Sequence, residues 1–239
     1  MKRILAATAA LAIAGGALAD HNTTIVDDRA GVFMDISGTG TALGLTDDGE
    51  ASITTTIGNA LLAAGSVRIG NNGGALWNDA GTENLSFVNG TINGVSPAWG
   101  GGQSLLPFWD DLDEETGDVY WQEIGGQLII QWHQRPHFPG PGAGNVTFQI
   151  QVNGNGNGST IPYAQFLYLD TIFDDSRWDN GLSATVGYQS TNPANNVEWS
   201  FNQAVITDGL VLSIVDVPAP GALALLGAAG LVARRRRRA

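Results

Sequence analysis

Cysteine is absent from the 239 residues. That removes disulfide frameworks, thiolate zinc sites, iron–sulfur clusters and cysteine nucleophiles together. Charge is scarce: Asp, Glu, Lys and Arg make up 14% of the chain against 43% hydrophobic residues, a balance opposed to intrinsic disorder. Sustained helical periodicity is missing between the two ends, although Asn59–Ala64 has room for one turn. No G-x-S-x-G elbow, phosphate loop or dinucleotide fingerprint occurs. The length suits one domain of about 200 residues, or at most two small ones.

Basic residues nearly vanish from the body. Residues 20–216 carry four arginines (Arg29, Arg68, Arg135, Arg177) against all 23 acidic groups, a net charge of −19. Polyphosphate is repelled by such a surface, so nucleic acid is excluded as a partner. Simple solubility accounts for the charge, and a salty medium or multivalent cations would also suit it.

The remaining basic residues stand at the ends. Lys2-Arg3 precedes an apolar run from Ile4 to Ala14, and Ala17-Leu18-Ala19 offers a small–x–small site. Residues 1–19 therefore read as a signal peptide, cut by signal peptidase after Ala19 and before Asp20. At the other end Val217-Pro218-Ala219-Pro220 leads into 13 uncharged residues, Gly221 to Ala233, and then Arg234, Arg235, Arg236, Arg237 and Arg238. Prolines stop a sheet or helix. The apolar run is short against the roughly 20 residues of a spanning helix, and the arginines hold their end in the cytoplasm. A short C-terminal transmembrane helix is expected, with the body outside.

In order and spacing, residues 217–239 resemble the PEP-CTERM sorting signal of Gram-negative bacteria, with Ala219 where that signal usually has Glu. The resemblance implies an inner-membrane-anchored precursor, recognised by an exosortase near the Pro motif, then release to or attachment at the cell surface or matrix. A plain anchor that is never cut is the alternative.

The body, 20–216, reads as strands. Val146-Phe148-Ile150-Val152 alternates with Thr147-Gln149-Gln151, and Val197-Trp199-Phe201 and Leu210-Leu212-Ile214 repeat that period. Asp118–Glu123 and Gln127–Trp132 flank Gly125-Gly126 as a hairpin. Further strands are expected at Ser52–Ile57, Ser66–Gly70, Leu85–Val88, Ala164–Leu169 and Ala184–Gln189, with Gly/Pro/Asn-rich loops at 97–103, 135–145 and 153–162. The fold class is all-β: an antiparallel β-sandwich, jelly-roll-like.

Leu106-Pro107-Phe108-Trp109-Asp110-Asp111-Leu112, Val119-Tyr120-Trp121, Leu128–Trp132 and Thr147-Phe148-Gln149 resemble a nidogen-type extracellular β domain over 104–215, the match being loose over 20–103. These are core and turn signatures, and they imply no catalytic residue.

Candidate chemistry is sparse. Asp110, Asp111, Asp113, Glu115 and Asp118 crowd one loop and offer oxygens to calcium, although EF-hand spacing fails; a solvated acidic loop is the simpler reading. His133 and His137 are four apart, but Pro136 between them forbids the helix a zincin needs. Trp77, Trp99 and Trp178 fall in polar or Gly-rich loops, where an indole either pins the loop or stacks on a sugar. The leading expectation is an exported surface or matrix protein without a reaction or cofactor of its own. The other is a lectin-like module for extracellular polysaccharide or, less simply, a glycoside hydrolase, whose paired carboxylates are set by spatial rather than sequence spacing.

Overall fold

The computed structural model describes residues 21–28, 30–77, 86–92, 102–139 and 144–217. Within these residues thirteen strands follow one another: β1 (Thr23–Asp27), β2 (Thr41–Ala42), β3 (Glu50–Thr55), β4 (Gly65–Gly70), β5 (Gly74–Trp77), β6 (Gln103–Trp109), β7 (Asp118–Ile124), β8 (Gln127–Arg135), β9 (Val146–Asn153), β10 (Ala164–Asp170), β11 (Thr185–Gln189), β12 (Val197–Phe201) and β13 (Val211–Asp216). They form a seven-stranded sheet, β1-β13-β10-β9-β8-β7-β2, and a six-stranded sheet, β12-β11-β6-β5-β4-β3. Every pairing is antiparallel. The architecture is a sandwich of meanders. A jelly roll sends consecutive strands to alternate sheets, whereas β3–β6 and β7–β10 each run as neighbours within one.

One continuous core lies between the sheets. Phe148 stacks between Trp132 and Phe108, with centroids 5.1 and 5.3 Å away, and the Trp132 indole N–H donates to Gly70 O across the sandwich at 3.0 Å. The β7–β8 hairpin forms where the glycines predict it, because Gly125 (φ 62°) and Gly126 (φ 80°) supply the two positive angles of a tight hairpin turn. Strand β6 holds Pro107 in mid-sheet, and its pairing with β11 shifts register between Leu106 and Trp109, a bulge that absorbs the missing N–H. Ser86–Val88, expected in a strand, forms bends; Asn59–Ala64 makes no helical turn, and Asn59 Oδ1 instead accepts from the Leu61 and Leu62 amides.

The alternation in β9 predicts one wet face, yet every residue of that strand is buried. The chain between β1 and β2 crosses the outer face of the seven-stranded sheet as a belt, and glutamines bind its backbone. Gln151 Nε2 donates to Val32 O (2.9 Å), Gln149 pairs with both the N–H and C=O of Met34 (3.2 and 3.1 Å), and Gln131 Oε1 accepts from Ile36 N (2.9 Å). Side-chain amides here do the work of a neighbouring strand, so buried backbone groups of the belt are met without one.

The two ends of the domain meet. Thr23 pairs with Asp216, and Val217 N–H donates to Asn22 O at 2.8 Å. Register carried across β13, β10, β9, β8 and β7 puts this junction at the Gly125-Gly126 end of the sandwich, opposite the end where Asp118 pairs with His133. Among the described residues no helix is long and apolar enough to cross a membrane. The segment expected to span, 221–233, lies outside the described residues, as do residues 1–19, expected to be a signal peptide.

Candidate functional site

The acidic segment after β6 crosses from one sheet to the other at the pole away from the chain ends. It is held on both sides. Residues 111–113 pair with 136–138 through Asp113 N–Pro136 O and Phe138 N–Asp111 O, both 2.9 Å, around the Leu112–His137 bridge. On the other side is the Asn71-Asn72-Gly73 turn between β4 and β5. Asn72 Oδ1 accepts from Leu112 N at 3.1 Å, and Asn71 donates to Leu112 O. Gly73 must be glycine: its φ is 77°, and a Cβ would sit 1.8 Å from Phe108 O.

A second loop, Thr46–Gly49, reaches the same place. Asn72 Nδ2 donates to Asp48 Oδ1 at 2.7 Å, and Asn71 N to Gly49 O at 2.8 Å. Carboxylate oxygens of Asp47, Asp48 and Asp111 then lie within 4.8 Å of one another, as do those of Asp47, Asp113 and Glu114. Half-burial pushes the Asp111 carboxyl up to about 6, with Asp48, Asp47 and Asp110 adding to the rise and His137 opposing it. Asp47 is raised for the same reasons, burial first and then Asp48, Asp113 and Glu114.

Arg135 lies beneath, 1% exposed. Its guanidinium donates to Leu45 O (3.2 Å), Thr116 O (3.4 Å), Gly117 O (3.3 Å) and Asn71 Oδ1. Burial lowers its pKa, while Asp118, Glu114, Asp113 and Asp47 resist that fall. One buried cation thus ties both acidic loops to the sheet end and cancels part of their repulsion.

Of the five residues expected to gather around calcium, Asp111 and Asp113 converge and three do not. Asp110 turns inward, where its Oδ2 accepts from Ser183 Oγ at 2.6 Å and its Oδ1 lies 3.3 Å from His137 Nε2. Asp118 accepts from the Gly44 and Val119 amides (3.0 and 2.7 Å), fixing the loop after β2. Glu115 is exposed and belongs to neither carboxylate group. Asp47, Asp48 and Glu114 take their places. The pairing of a distant Asp-Asp with this loop has no sequence signal beyond the Asn-Asn-Gly turn that docks both.

Trp77 and Trp178, the two aromatic candidates among the described residues, are covered. Trp77 is 1% exposed. Trp178 stacks on the His137 ring (centroids 4.0 Å apart, 6° between planes) and lies under the Arg177 guanidinium, 4.3 Å from its ring centroid. Neither indole has an open face for a sugar. Trp99 lies outside the described residues. His133 and His137 are separated as well: His133 meets Tyr120 edge-on, and His137 is buried against Trp178 and Phe173.

Asp111 makes a pH prediction. Its pKa is higher folded than unfolded, so the ionised carboxylate weakens the fold, and this cost disappears as pH falls through about 6 toward the ordinary aspartate value of 3.8. Asp111→Asn is expected to stabilise the protein at pH 7 by about 1 kcal/mol, a figure reduced for solvent screening at a half-exposed group. Urea melts at pH 7 and pH 4.5 check it: the gain should be present at pH 7 and shrink at the lower pH.

The junction of the chain ends has its own cluster. Tyr163 Oη donates to both Asp216 oxygens (3.2 and 3.1 Å), His21 Nδ1 is 3.3 Å from Asp216 and 3.0 Å from Tyr163, and burial beside Asp216 pushes the Tyr163 phenol up to about 12. Val217, first residue of the segment expected to direct sorting, is the last described; Ala17, Ala19, Asp20, Pro218, Ala219, Pro220 and Arg234–Arg238 lie outside the described residues.

No curated protein and no solved structure matches this chain. A family model described as NIDO related matches residues 25–222, from the first strand past the last. The likeness read over 104–215 thus extends through the N-terminal strands and the belt, and the chain belongs to the NIDO-related family.

Proposed function

We propose that this protein is an exported surface or matrix component of a Gram-negative bacterium, built around the NIDO-related sandwich and without a reaction of its own. Signal peptidase removes residues 1–19. The tail from Val217 holds the precursor in the inner membrane until an exosortase acts near Pro218-Ala219-Pro220. The hydrogen bond between Val217 and Asn22 is the observation that supports this most. Chain entry and exit share one pole, so both cuts fall just outside the last paired residues and neither opens a strand. The acidic pole is then the one turned away from the membrane. Replacing Pro218 and Pro220 by alanine is expected to leave a larger species in the inner membrane, seen by immunoblot of cell fractions. Unchanged size and location would contradict processing at this motif.

A second reading concerns the acidic pole, where two loops form two carboxylate triads that share Asp47, one with Asp48 and Asp111 and one with Asp113 and Glu114. Calcium takes six to eight oxygens, with water completing a partial protein set, and sites outside the cell work at millimolar affinity. Calcium is expected to raise the melting temperature of the full-length chain in detergent progressively with concentration, magnesium less so. Equal melting in calcium, magnesium and chelator would reduce the cluster to a solvated surface held by Arg135.

A further inference from the structure

Trp121 is only half-buried: part of its indole packs on the core, and part lines a groove of about 300 Å³. The groove opens where the sandwich gapes, between the β2–β7 edge of one sheet and the β3 edge of the other. Thr39, Thr41, Thr54, Thr56, Gln122 and Glu123 complete the lining. Among the described residues no Lys or Arg lines it.

The polar groups are fixed in place. Thr55 Oγ1 and the Thr56 amide donate to Glu123 Oε1, and Thr56 Oγ1 donates to Oε2, each at 2.6 Å. These bonds hold the Glu123 carboxyl below the usual glutamate range, so it stays an ionised acceptor. Thr39 Oγ1 donates to Gln122 Oε1 at 2.9 Å, which orients the amide. Side chains locked this way lose little freedom when they bind. A flat apolar surface beside a few oriented hydroxyl, amide and carboxylate groups is the usual make-up of a small-ligand site, and 300 Å³ is at the small end of that range.

We propose that this groove binds a neutral oligosaccharide, with one sugar ring against the Trp121 indole and its hydroxyls bonded to Gln122, Glu123 and the threonines. Sugar rings match these groups, having an apolar C–H face to lay on an aromatic ring and hydroxyls that both donate and accept. Charge selects neutral glycans over anionic ones, since Glu123 lines the groove and the surrounding body carries four arginines against 23 acidic groups.

The test is binding of the full-length chain in detergent to an array of neutral, sialylated and uronate-bearing oligosaccharides, followed by titration of the neutral ones. Thr54→Arg and Thr41→Arg place long side chains into the groove from exposed strand positions, leaving the core untouched. Neutral glycans are expected to bind the wild type and shift its tryptophan emission, and each variant should weaken this at least tenfold with an unchanged melting temperature. Silence on every neutral glycan, binding of acidic glycans alone, or binding indifferent to both arginines would overturn the proposal. Cell fractionation of the same variants keeps the two readings apart: their export and processing should match the wild type whether or not a glycan binds.

Discussion

Arg135→Met is expected to cost about 3–5 kcal/mol, the range for removing one partner of a buried ionic network. Methionine fills most of the volume, so the loss is electrostatic and polar rather than a cavity. Three carbonyls, at Leu45, Thr116 and Gly117, and the Asn71 side chain lose a donor in a buried place. Asp47, Asp113, Glu114 and Asp118 lose the one positive charge beneath them. For a domain of this size the melting temperature should drop by about 10 °C. Arg135→Lys keeps the charge but lacks the planar fork and should fall between. Acid should partly rescue the methionine variant, because protonating the raised carboxyls of Asp111 and Asp47 relieves the repulsion that the arginine had offset. Denaturant melts of the three proteins at pH 7 and pH 5 measure this. A loss under about 1 kcal/mol would mean that water already screens the loops.

Gln149→Ala is the second large effect, expected at about 2–4 kcal/mol from unmet buried polar groups and the lost side chain. Gln149 is fully buried and central to the ladder: its amide meets both backbone groups of Met34, and its Oε1 also accepts from Gln151 at 2.5 Å. Without it the belt loses its middle fastening while Gln131 and Gln151 still hold its ends. Hydrogen exchange should therefore rise most at the Met34 amide, less at Ile36, whose acceptor Gln131 remains, and little in β4 or β5, which belong to the other sheet. Exchange that rises evenly through both sheets would show that the belt and the sandwich open as one unit.

Sequence patterning reached the strands whose two faces differ in polarity, and the glycines that turn β7 into β8. It passed over β5 and β6, where GALW and the Leu-Leu-Pro-Phe-Trp run are buried on both faces and so lack alternation. Glutamines 149 and 151 read as a solvent face because a side chain that bonds a strand or a belt looks, in one dimension, like one that bonds water. What covers them lies more than a hundred residues earlier. The acidic loop was legible as a concentration of charge but not as a site. Asp110 was claimed by Ser183 and His137, Asp118 by two amides, and the replacements Asp47 and Asp48 arrive through a hairpin turn that only tertiary docking explains. Trp77 and Trp178 show the converse error, since a polar or Gly-rich neighbourhood in sequence does not keep an indole at the surface. Segment order carried the reading of the two ends, and the structure adds that they leave the domain side by side.

Intact-mass analysis of the protein recovered from its native cells tests the proposal of export with processing at both ends. The predicted mature species begins at Asp20, ends near Pro218–Pro220, and is found in the outer envelope or the medium. A chain recovered from the cytoplasm that still carries Met1 or Lys2 at one end and Arg234–Arg238 at the other would contradict the account.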